Sequence, residues 1–244
     1  MRRILFEWRG IRIYSYPALL YTGLVAGVLE GTRAARLAGL EPGRAYVALI
    51  ILLVPALAGA RLLFVAAHWP VYRRERARIW RSSEGGAALY GGLLLALPLS
   101  VPLLAALRLD FWVFWDVATV TMLVGMVFTK VGCLLNGCCG GRATNGAFGL
   151  TAPNHLGVVA RRFPNQLLEA ALAFALLAGT TSLWARRPFE GSVFLASLAV
   201  YGSARFLIEG AREEIDSVGR FNLQRLISVA LVALAGAGLL NRAP

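Results

Sequence analysis

One short segment, KVGCLLNGCCGG at residues 130–141, holds side chains of several reactive types. It closes a long apolar run and contains a cation, an amide and all three cysteines of the chain. Lys130, Cys133 and Asn136 are spaced by three, so they share one face of a helix. Charged and polar groups inside an apolar layer are costly and are rarely found there without a partner or a task. The glycines beside them allow a ligand to approach the backbone closely.

The three cysteines, Cys133, Cys138 and Cys139, admit two interpretations. A free cysteine usually packs as a small buried hydrophobe. The nearby Lys130 can instead lower the pKa of a thiol, and the resulting thiolate is a nucleophile. A zinc site requires a fourth ligand and a geometry that the adjacent Cys138 and Cys139 do not easily supply, so we expect no metal. An odd number of clustered cysteines does not indicate a disulfide framework.

A second set of polar side chains lies near the end of another apolar run. Tyr201, Arg205, Glu209 and Arg212 are spaced by four, four and three, which places them on one face of a helix. An internal Arg–Glu pair that ends the helix explains this pattern. The polar wall of a lipid-headgroup site explains it as well, because an arginine paired with a carboxylate keeps other donors for a phosphate.

Several isolated polar residues are also candidates. Arg61, in LAGARLLFV, either extends to the membrane interface or faces inward to contact a phosphate. Tyr90, in EGGAALYGG, is an interfacial tyrosine or a hydrogen-bond donor to a substrate. His155 is interpreted as a solvated loop histidine, with a catalytic base as the alternative. Glu169 lies in the first turns of a predicted helix, where the helix dipole alone favours it, so it does not by itself indicate a site.

The composition excludes an ordinary soluble domain. Hydrophobic residues make up 58% of the 244 residues, and the mean hydropathy is +0.64. Seven runs are long enough to cross a bilayer as helices. They lie at about 17–32, 45–67, 86–107, 111–135, 166–184, 191–209 and 224–241. Because the runs are continuous rather than alternating, helices are favoured over a barrel. The sequence therefore predicts an all-α polytopic membrane protein.

The chain is predicted to be a single integral membrane domain over residues 1–244. Its start, MRRILFEWRGIRIYSY, alternates polar and apolar residues and lacks the apolar core of a cleavable signal peptide. This pattern predicts a short amphipathic strand or hairpin at the membrane surface.

The net charge of +12 is carried almost entirely by arginine. Arginine matches a phosphate with a planar fork of donors. Because the arginines are scattered over short loops, we expect anionic lipid headgroups as partners and no nucleic acid. With seven spans, 15 loop arginines fall on the side of the N-terminus and seven on the other side. This excess indicates either a cytoplasmic side or a side that gathers an anionic lipid.

These segments, in this order, resemble the prolipoprotein diacylglyceryl transferases of the bacterial plasma membrane over nearly the whole chain. RILFEWRGIRIYSYPALLY is similar to the family's entry segment and first span, with Tyr16 at its tyrosine position. AGARLLFV resembles a GARLGYV-like segment, and TKVGCLLNGCCGG resembles the signature G-R-x-G-N-F-x-N-x-E-x-x-G. RRFPNQLLE resembles R-x-P-S/T-Q-L-Y-E, and YGSARFLIEGARE resembles a Y-x-x-x-R-x-x-x-E segment. NLQRLIS resembles the start of the last span.

The chain departs from the family pattern at four polar positions. Tyr90 stands at the family's histidine, in a segment similar to Gly-Gly, a few residues, His-Gly-Gly-Leu. Lys130 stands at its signature arginine, Cys133 at its asparagine and Cys138 at its glutamate. Lysine cannot make arginine's bidentate phosphate contact, and tyrosine is a poorer base than histidine at neutral pH. The matching polar or glycine positions are Asn136, Gly141, Arg205 and Glu209.

The resemblance implies a transfer of diacylglyceryl from phosphatidylglycerol to the lipobox cysteine of a preprolipoprotein, with release of glycerol phosphate. It implies seven spans in the bacterial plasma membrane, an N-terminus outside the cell and a site that opens to the periplasmic side. The catalytic residues would then be Tyr90, Arg205 and Glu209. The remaining lipid-binding or phosphate-binding positions would be Tyr16, Arg61, Lys130, Cys133, Asn136, Cys138, Gly141, Tyr201 and Arg212. No cofactor is implied.

Two alternatives remain open at this point. A related transferase could use a different lipid donor or acceptor. A non-catalytic protein on the same scaffold could bind or translocate lipid. Loss of Arg205 should inactivate either transferase, whereas a lipid-binding protein should tolerate loss of Glu209 or Tyr90.

Overall fold

The computed structural model describes residues 3–73, 75–80, 89–153, 157–185, 187–213, 217–218 and 221–242. This part of the chain forms seven long helices, one short helix, a 3₁₀ turn and three β-hairpins. The helices are α1 (Ser15–Leu37), α2 (Pro42–Ala67), the short α3 (Trp69–Tyr72), α4 (Leu89–Leu107), α5 (Phe111–Asn136), α6 (Asn165–Ala185), α7 (Ser192–Glu209) and α8 (Leu223–Arg242), and the 3₁₀ turn covers Arg76–Trp80.

The three hairpins are two-stranded and antiparallel. They pair β1 (Ile4–Trp8) with β2 (Ile11–Tyr14), β3 (Leu150–Pro153) with β4 (Val159–Arg162), and β5 (Ser217–Val218) with β6 (Phe221–Asn222). The predicted amphipathic hairpin at the N-terminus is confirmed by β1 and β2. Phe6 lies opposite Ile13 in this hairpin, and both side chains are exposed, which suits the headgroup layer of a membrane.

The prediction of an all-α polytopic membrane protein is confirmed. Six of the long helices, α2 and α4 to α8, are long and apolar enough to cross a membrane, with mean hydropathies from 1.3 to 2.4 over their best windows. Helix α1 is not among these six, although it covers the first predicted span. The predicted third span begins at residue 86, and residues 86–88 lie outside the described part of the chain.

The helix ends follow from local sequence. Helix α2 begins at Pro42, and the side chain of Glu41 accepts hydrogen bonds from the backbone N–H groups of Gly43 and Arg44. Asp110 accepts a bond from the backbone of Val113 at the start of α5. At the other end of α5, Gly137 adopts a left-handed conformation with φ of 79° and stops the helix.

Helix α1 packs along α5, and α2 packs along α4. A Cβ atom on Gly27 of α1 would lie 2.6 Å from the backbone oxygen of Thr121 in α5, so only glycine permits this approach. Glycine therefore brings the two helix backbones into direct contact, as is typical of packing within membranes.

The three hairpins lie at one end of the helix bundle, which we call the hairpin end. The helices run alternately up and down, so α5 and α7 finish at this end and α6 and α8 begin there. Arg3 of the N-terminal segment donates from Nε to the backbone oxygen of Asn136 at 3.1 Å. The hairpin end therefore gathers the segments 130–141, 161–169 and 201–213, which are far apart in sequence.

The opposite end of the bundle is held by an apolar core with buried polar links. Trp115 donates from its indole N–H to the hydroxyl of Ser100 at 3.0 Å. Asp116 accepts bonds from the backbone N–H groups of Gly191 and Phe194, at 2.9 and 2.8 Å, and so caps α7. This end fixes the relative positions of α4, α5 and α7 without using the polar residues of the hairpin end.

Candidate active site

A buried cluster of charges lies at the hairpin end, where α5, α6 and α7 meet. Its centre is Glu169, in the second turn of α6, whose carboxylate is fully buried. Lys130 forms an ion pair with Glu169 Oε2. The guanidinium groups of Arg212 and Arg205 lie 3.6 and 4.0 Å from Glu169 Oε1. One carboxylate therefore brings together cations from two distant segments of the sequence.

A second carboxylate, Glu209, completes the cluster. Arg205 Nη1 lies 2.6 Å from Glu209 Oε2, and Arg212 Nε lies 3.8 Å from the same oxygen. The expected internal pair on α7 is thus present, and it is joined to Glu169 rather than isolated. Within the described residues, three cations face these two carboxylates in a largely buried site. Such buried pairs require a full set of partners, since removal of one leaves an uncompensated charge.

Glu169 is not among the site residues predicted from the sequence. The helix dipole accounts for a glutamate in the first turns of any helix, so its position gave no separate signal. The available signal was the resemblance itself, because Glu169 stands at the final glutamate of the segment similar to R-x-P-S/T-Q-L-Y-E.

The three cysteines also converge at the hairpin end. Their sulfur atoms all lie within 4.8 Å of one another, with Cys133 buried and Cys139 exposed. The thiol of Cys138 lies 3.8 Å from the backbone oxygen of Cys133, and Gln166 Nε2 donates to the backbone oxygen of Cys138 at 2.8 Å. Cys139 has a positive φ of 60°, which is uncommon for a residue with a side chain.

The two thiols beyond the helix end have opposite pKa shifts. Hydrogen bonds from the Cys133 and Cys138 thiols, together with the nearby Lys130 and Arg212, hold the pKa of Cys139 well below its ordinary value. At Cys138 the bond with Cys133 lowers the pKa, but the bond with Cys139 and burial outweigh it and raise the pKa to about 11. Of these two thiols, Cys139 is therefore the one that forms a thiolate more readily.

Gly141 positions the cysteine turn by close packing. Its backbone N–H donates to the oxygen of Phe163 at 3.0 Å, and it pairs with Arg212 in an isolated bridge. A Cβ atom on Gly141 would lie 2.7 Å from Phe163 Cβ and 2.9 Å from the oxygen of Ala211. Only glycine fits at this position, where the turn, the start of α6 and the end of α7 touch.

Tyr16 and Asn136 border the cysteines. Tyr16 lies in the first turn of α1, within electrostatic range of all three thiols and of Lys130. The side chain of Asn136 lies close enough to the Cys138 thiol to lower its pKa. The structure thus brings both residues to the cysteine turn.

Tyr90 lies beside the charge cluster and is held by α8. Its hydroxyl is 2.8 Å from Ser228 Oγ, and Ser228 in turn donates to the backbone oxygen of Gln224. Because the serine proton is used in that bond, Tyr90 is the donor to Ser228. Its ring also meets the ring of Tyr201 edge to face, with centroids 6.2 Å apart. Tyr90 and Tyr201 therefore form an aromatic wall beside Arg205.

Arg61 is placed differently from the other candidates. Its Nε donates to the backbone oxygen of Ile79 at 3.0 Å, and its guanidinium lies over the rings of Phe64 and Tyr72. Arg61 thus contacts the segment that follows α2, whereas Glu169 and Glu209 form ion pairs with Lys130, Arg205 and Arg212. His155 lies outside the described residues.

Replacing Tyr90 with phenylalanine should have a small effect. Ser228 keeps its bond to Gln224, so loss of one hydrogen bond should lower the free energy of unfolding by about 1 kcal/mol. We expect the transfer activity implied by the resemblance to stay within about tenfold of wild type, since 1.4 kcal/mol corresponds to a factor of ten. Thermal unfolding and initial rates would be measured in the same detergent. A much larger loss of rate at unchanged stability would instead assign the hydroxyl a catalytic role.

Comparison with known proteins places this arrangement in one family. The family model described as prolipoprotein diacylglyceryl transferase matches residues 3–241. The chain is 29% identical over 243 residues to a phosphatidylglycerol–prolipoprotein diacylglyceryl transferase of Geobacillus kaustophilus, covering 96% of this chain and 89% of that protein. It is 30% identical to the protein of the same name from Lactiplantibacillus plantarum, over 92% of this chain and 82% of that one. A second transferase of Clostridium perfringens is 25% identical over 95% of this chain and 92% of its own length. The match over nearly the whole length shows that this chain belongs to the prolipoprotein diacylglyceryl transferase family.

Proposed function

We propose that this membrane enzyme transfers the diacylglyceryl group of phosphatidylglycerol to the cysteine thiol of a prolipoprotein. The observation that carries the proposal is the buried charge cluster at the hairpin end. Its three cations outnumber its two carboxylates, and both guanidinium groups are held where they can meet the single negative charge of the phosphatidylglycerol phosphodiester. The charge cluster therefore provides this family member with a site in the membrane that can bind the phosphate of this donor.

Each arginine of the cluster has donors beyond those used in its ion pairs. Arg205 contacts Glu209 through Nη1, and its planar guanidinium carries further N–H groups. Arg212 contacts the two carboxylates through Nε and Nη1. The carboxylates thus fix the orientation of both guanidinium groups, and the remaining donors bind the phosphate. Lys130 contributes a point charge rather than a fork of donors.

The reaction replaces the C–O bond of the donor with a C–S bond, and the proton of the acceptor thiol passes to solvent. The acceptor thiol loses its proton, its sulfur attacks the glyceryl carbon, and the carbon–oxygen bond to the phosphate breaks. The electron pair of that bond stays on the phosphate oxygen, so negative charge grows on the departing glycerol phosphate. Arg205, Arg212 and Lys130 stabilise this charge more strongly in the transition state than in the bound donor, which lowers the barrier. Holding both substrates at one place supplies a further contribution.

The residues implied by the resemblance take more specific parts in this proposal. Glu209 and Glu169 orient the cations, and the aromatic wall of Tyr90 and Tyr201 borders the glyceryl group. Tyr16, Asn136 and Gly141 shape the cysteine turn. Arg61 steadies the segment after α2 and meets the donor as it enters.

The hairpin end faces the outside of the cell in this proposal. The excess of arginine on that side then serves to gather an anionic lipid, which explains its departure from the usual charge bias. Seven long helices alternate between the two ends of the bundle. Because α1 begins at the hairpin end, α8 would finish at the opposite, cytoplasmic end.

Fusions to the C-terminus at Pro244 test this orientation. A fluorescent protein that folds only in the cytoplasm should be bright there, and alkaline phosphatase should be inactive. Fusions after residue 145, in the hairpin end, should give the reverse pattern. Active phosphatase at Pro244 would contradict the orientation.

The reaction itself is tested with purified protein in detergent. Phosphatidylglycerol and a lipobox peptide are supplied, and mass spectrometry follows the peptide. The expected result is a mass gain of one diacylglyceryl unit that is absent when the peptide cysteine is replaced by serine. Bound phosphatidylglycerol without any transfer would instead favour a lipid-binding protein or a different acceptor.

A further inference from the structure

We propose that Cys133, Cys138 and Cys139 bind a zinc ion whose fourth position is filled by the thiol of the acceptor substrate. This inference rests on the proposed function, because it needs a thiol as the acceptor. It assigns a metal to a cluster that the sequence predicted to be free of metal, and it names the group that activates the acceptor.

The arrangement of the three sulfur atoms supports the site. All three lie within 4.8 Å of one another. Tetrahedral zinc with Zn–S bonds of about 2.3 Å places two sulfurs about 3.8 Å apart, so a contraction of at most about 1 Å is required. Three thiols are a soft donor set, which suits zinc rather than magnesium or calcium.

The backbone removes the objection that two adjacent cysteines cannot bind the same ion. Gly137 ends α5 with φ of 79°, and Cys139 has φ of 60°. These two left-handed residues curl the turn so that the side chains of Cys138 and Cys139 both point towards Cys133. The turn is held from outside by the hydrogen bond of Gln166 to Cys138 and by the packing of Gly141.

The number of ligands points to a catalytic rather than a structural site. Structural zinc sites usually have four protein ligands, whereas catalytic sites have three and leave one position open. The chain has only three cysteines, and all three are in this cluster. Cys139 is the most exposed residue of the three, so the cluster lies near the surface of the hairpin end. A thiol substrate supplies the missing ligand of the same chemical type.

The surrounding charges are compatible with this site. Three protein thiolates and a substrate thiolate around Zn²⁺ carry a net charge of minus two. Lys130 and Arg212 lie within electrostatic range of Cys139, and Arg212 also forms a hydrogen bond with its sulfur. These same cations belong to the charge cluster proposed to hold the lipid phosphate. The zinc-bound sulfur of the acceptor substrate would therefore lie next to the glyceryl carbon that it attacks.

The chemistry explains how the acceptor is activated without the family's histidine. Tyr90 stands at that position. Its hydroxyl donates a hydrogen bond to Ser228, so it does not act as a base. A thiol that binds zinc is deprotonated, and its proton passes to solvent. The bound sulfur then forms the C–S bond while the C–O bond breaks and its electron pair leaves with the phosphate. Zinc undergoes no change of oxidation state in this step.

The test uses the full-length protein in detergent, reduced and stripped with a chelator, then titrated with Zn²⁺ or Co²⁺. We expect one ion per chain by elemental analysis. Tetrahedral Co²⁺ should show visible bands and a thiolate charge-transfer band with the intensity of three sulfur ligands. Because the chain has only three cysteines, every thiolate signal from the protein reports on this cluster. A lipobox peptide should raise the charge-transfer intensity to four thiolates, and the peptide with serine in place of cysteine should not.

Cys139→Ser is the most informative variant, since this residue is exposed and its replacement disturbs packing least. We expect its zinc affinity to fall at least about 100-fold, the upper range for loss of an outer-sphere partner. Lack of Co²⁺ binding, a disulfide within the cluster, or a three-sulfur spectrum that the peptide does not change would each overturn the proposal.

Transfer measured in parallel separates this inference from the proposed function. If the chelated protein and Cys139→Ser transfer at the wild-type rate, the zinc proposal fails while the function stands. If the peptide thiol binds Co²⁺ but the zinc-loaded protein makes no product from phosphatidylglycerol, the function fails while the metal site stands.

Discussion

Replacing Arg205 with alanine should lower the rate of diacylglyceryl transfer by about 100- to 1000-fold, the usual effect of removing one donor that stabilises a developing anion. Arg205 is largely buried and pairs with Glu209 at 2.6 Å, at the centre of the proposed phosphate site. The rate would be measured with a labelled lipid and a lipobox peptide under initial-rate conditions. Arg33→Ala is the matched control, because Arg33 pairs with Glu30 on an exposed helix surface and should leave the rate unchanged.

A loss of activity in Arg205→Ala has a second possible cause. The variant leaves the buried Glu209 without its closest partner, which typically costs about 3–5 kcal/mol of stability. The double variant Arg205→Leu with Glu209→Leu removes both charges and replaces them with apolar side chains, so its stability should stay close to that of wild type. We expect this double variant to fold and remain inactive. Wild-type transfer by the folded double variant would show that Arg205 serves only to neutralise Glu209.

The sequence predicted the helices well because each one is specified locally. Continuous apolar runs define α2 and α4 to α8 with little dependence on the remainder of the chain. The face shared by Tyr201, Arg205 and Glu209 follows from helical spacing alone, and the structure shows the pair that this spacing predicts. Helix α1 is the marginal case, because Tyr, Pro, Gly and Glu dilute its apolar residues.

The centre of the site could not be predicted in the same way. Lys130 and Arg212 are more than 80 residues apart in sequence, and they meet only because α5 and α7 end at the same level beside the start of α6. Glu169 acquires its importance from that meeting, and its own segment indicates it only through the resemblance to R-x-P-S/T-Q-L-Y-E. The convergence of the cysteines has a similar origin, since it depends on the left-handed backbone of Cys139, which is uncommon for a non-glycine residue.

Glu169→Gln should destabilise the protein and at the same time tighten its binding of phosphatidylglycerol. Glutamine keeps the shape of the side chain but removes the charge that faces Lys130, Arg205 and Arg212. Three buried cations then share one carboxylate, and the free energy of unfolding should fall by about 3–5 kcal/mol in a detergent without anionic lipid. The lipid phosphate no longer competes with Glu169 for the same donors. We expect its Kd to fall about tenfold, which corresponds to 1.4 kcal/mol.

The loss of stability and the gain in lipid affinity are linked, so the effect of bound lipid on the melting temperature measures both. Phosphatidylglycerol at about 100 times its Kd stabilises a site by about 2.7 kcal/mol, so it should restore most of the melting temperature lost in Glu169→Gln. Phosphatidylcholine, which has no net charge, should not. Asp116→Asn is the control, because this buried carboxylate caps α7 at the opposite end of the bundle. It should be destabilised without any change in lipid affinity. If Glu169→Gln binds phosphatidylglycerol more weakly than wild type at unchanged stability, the carboxylate contacts the lipid directly, and the cations do not form the phosphate site proposed here.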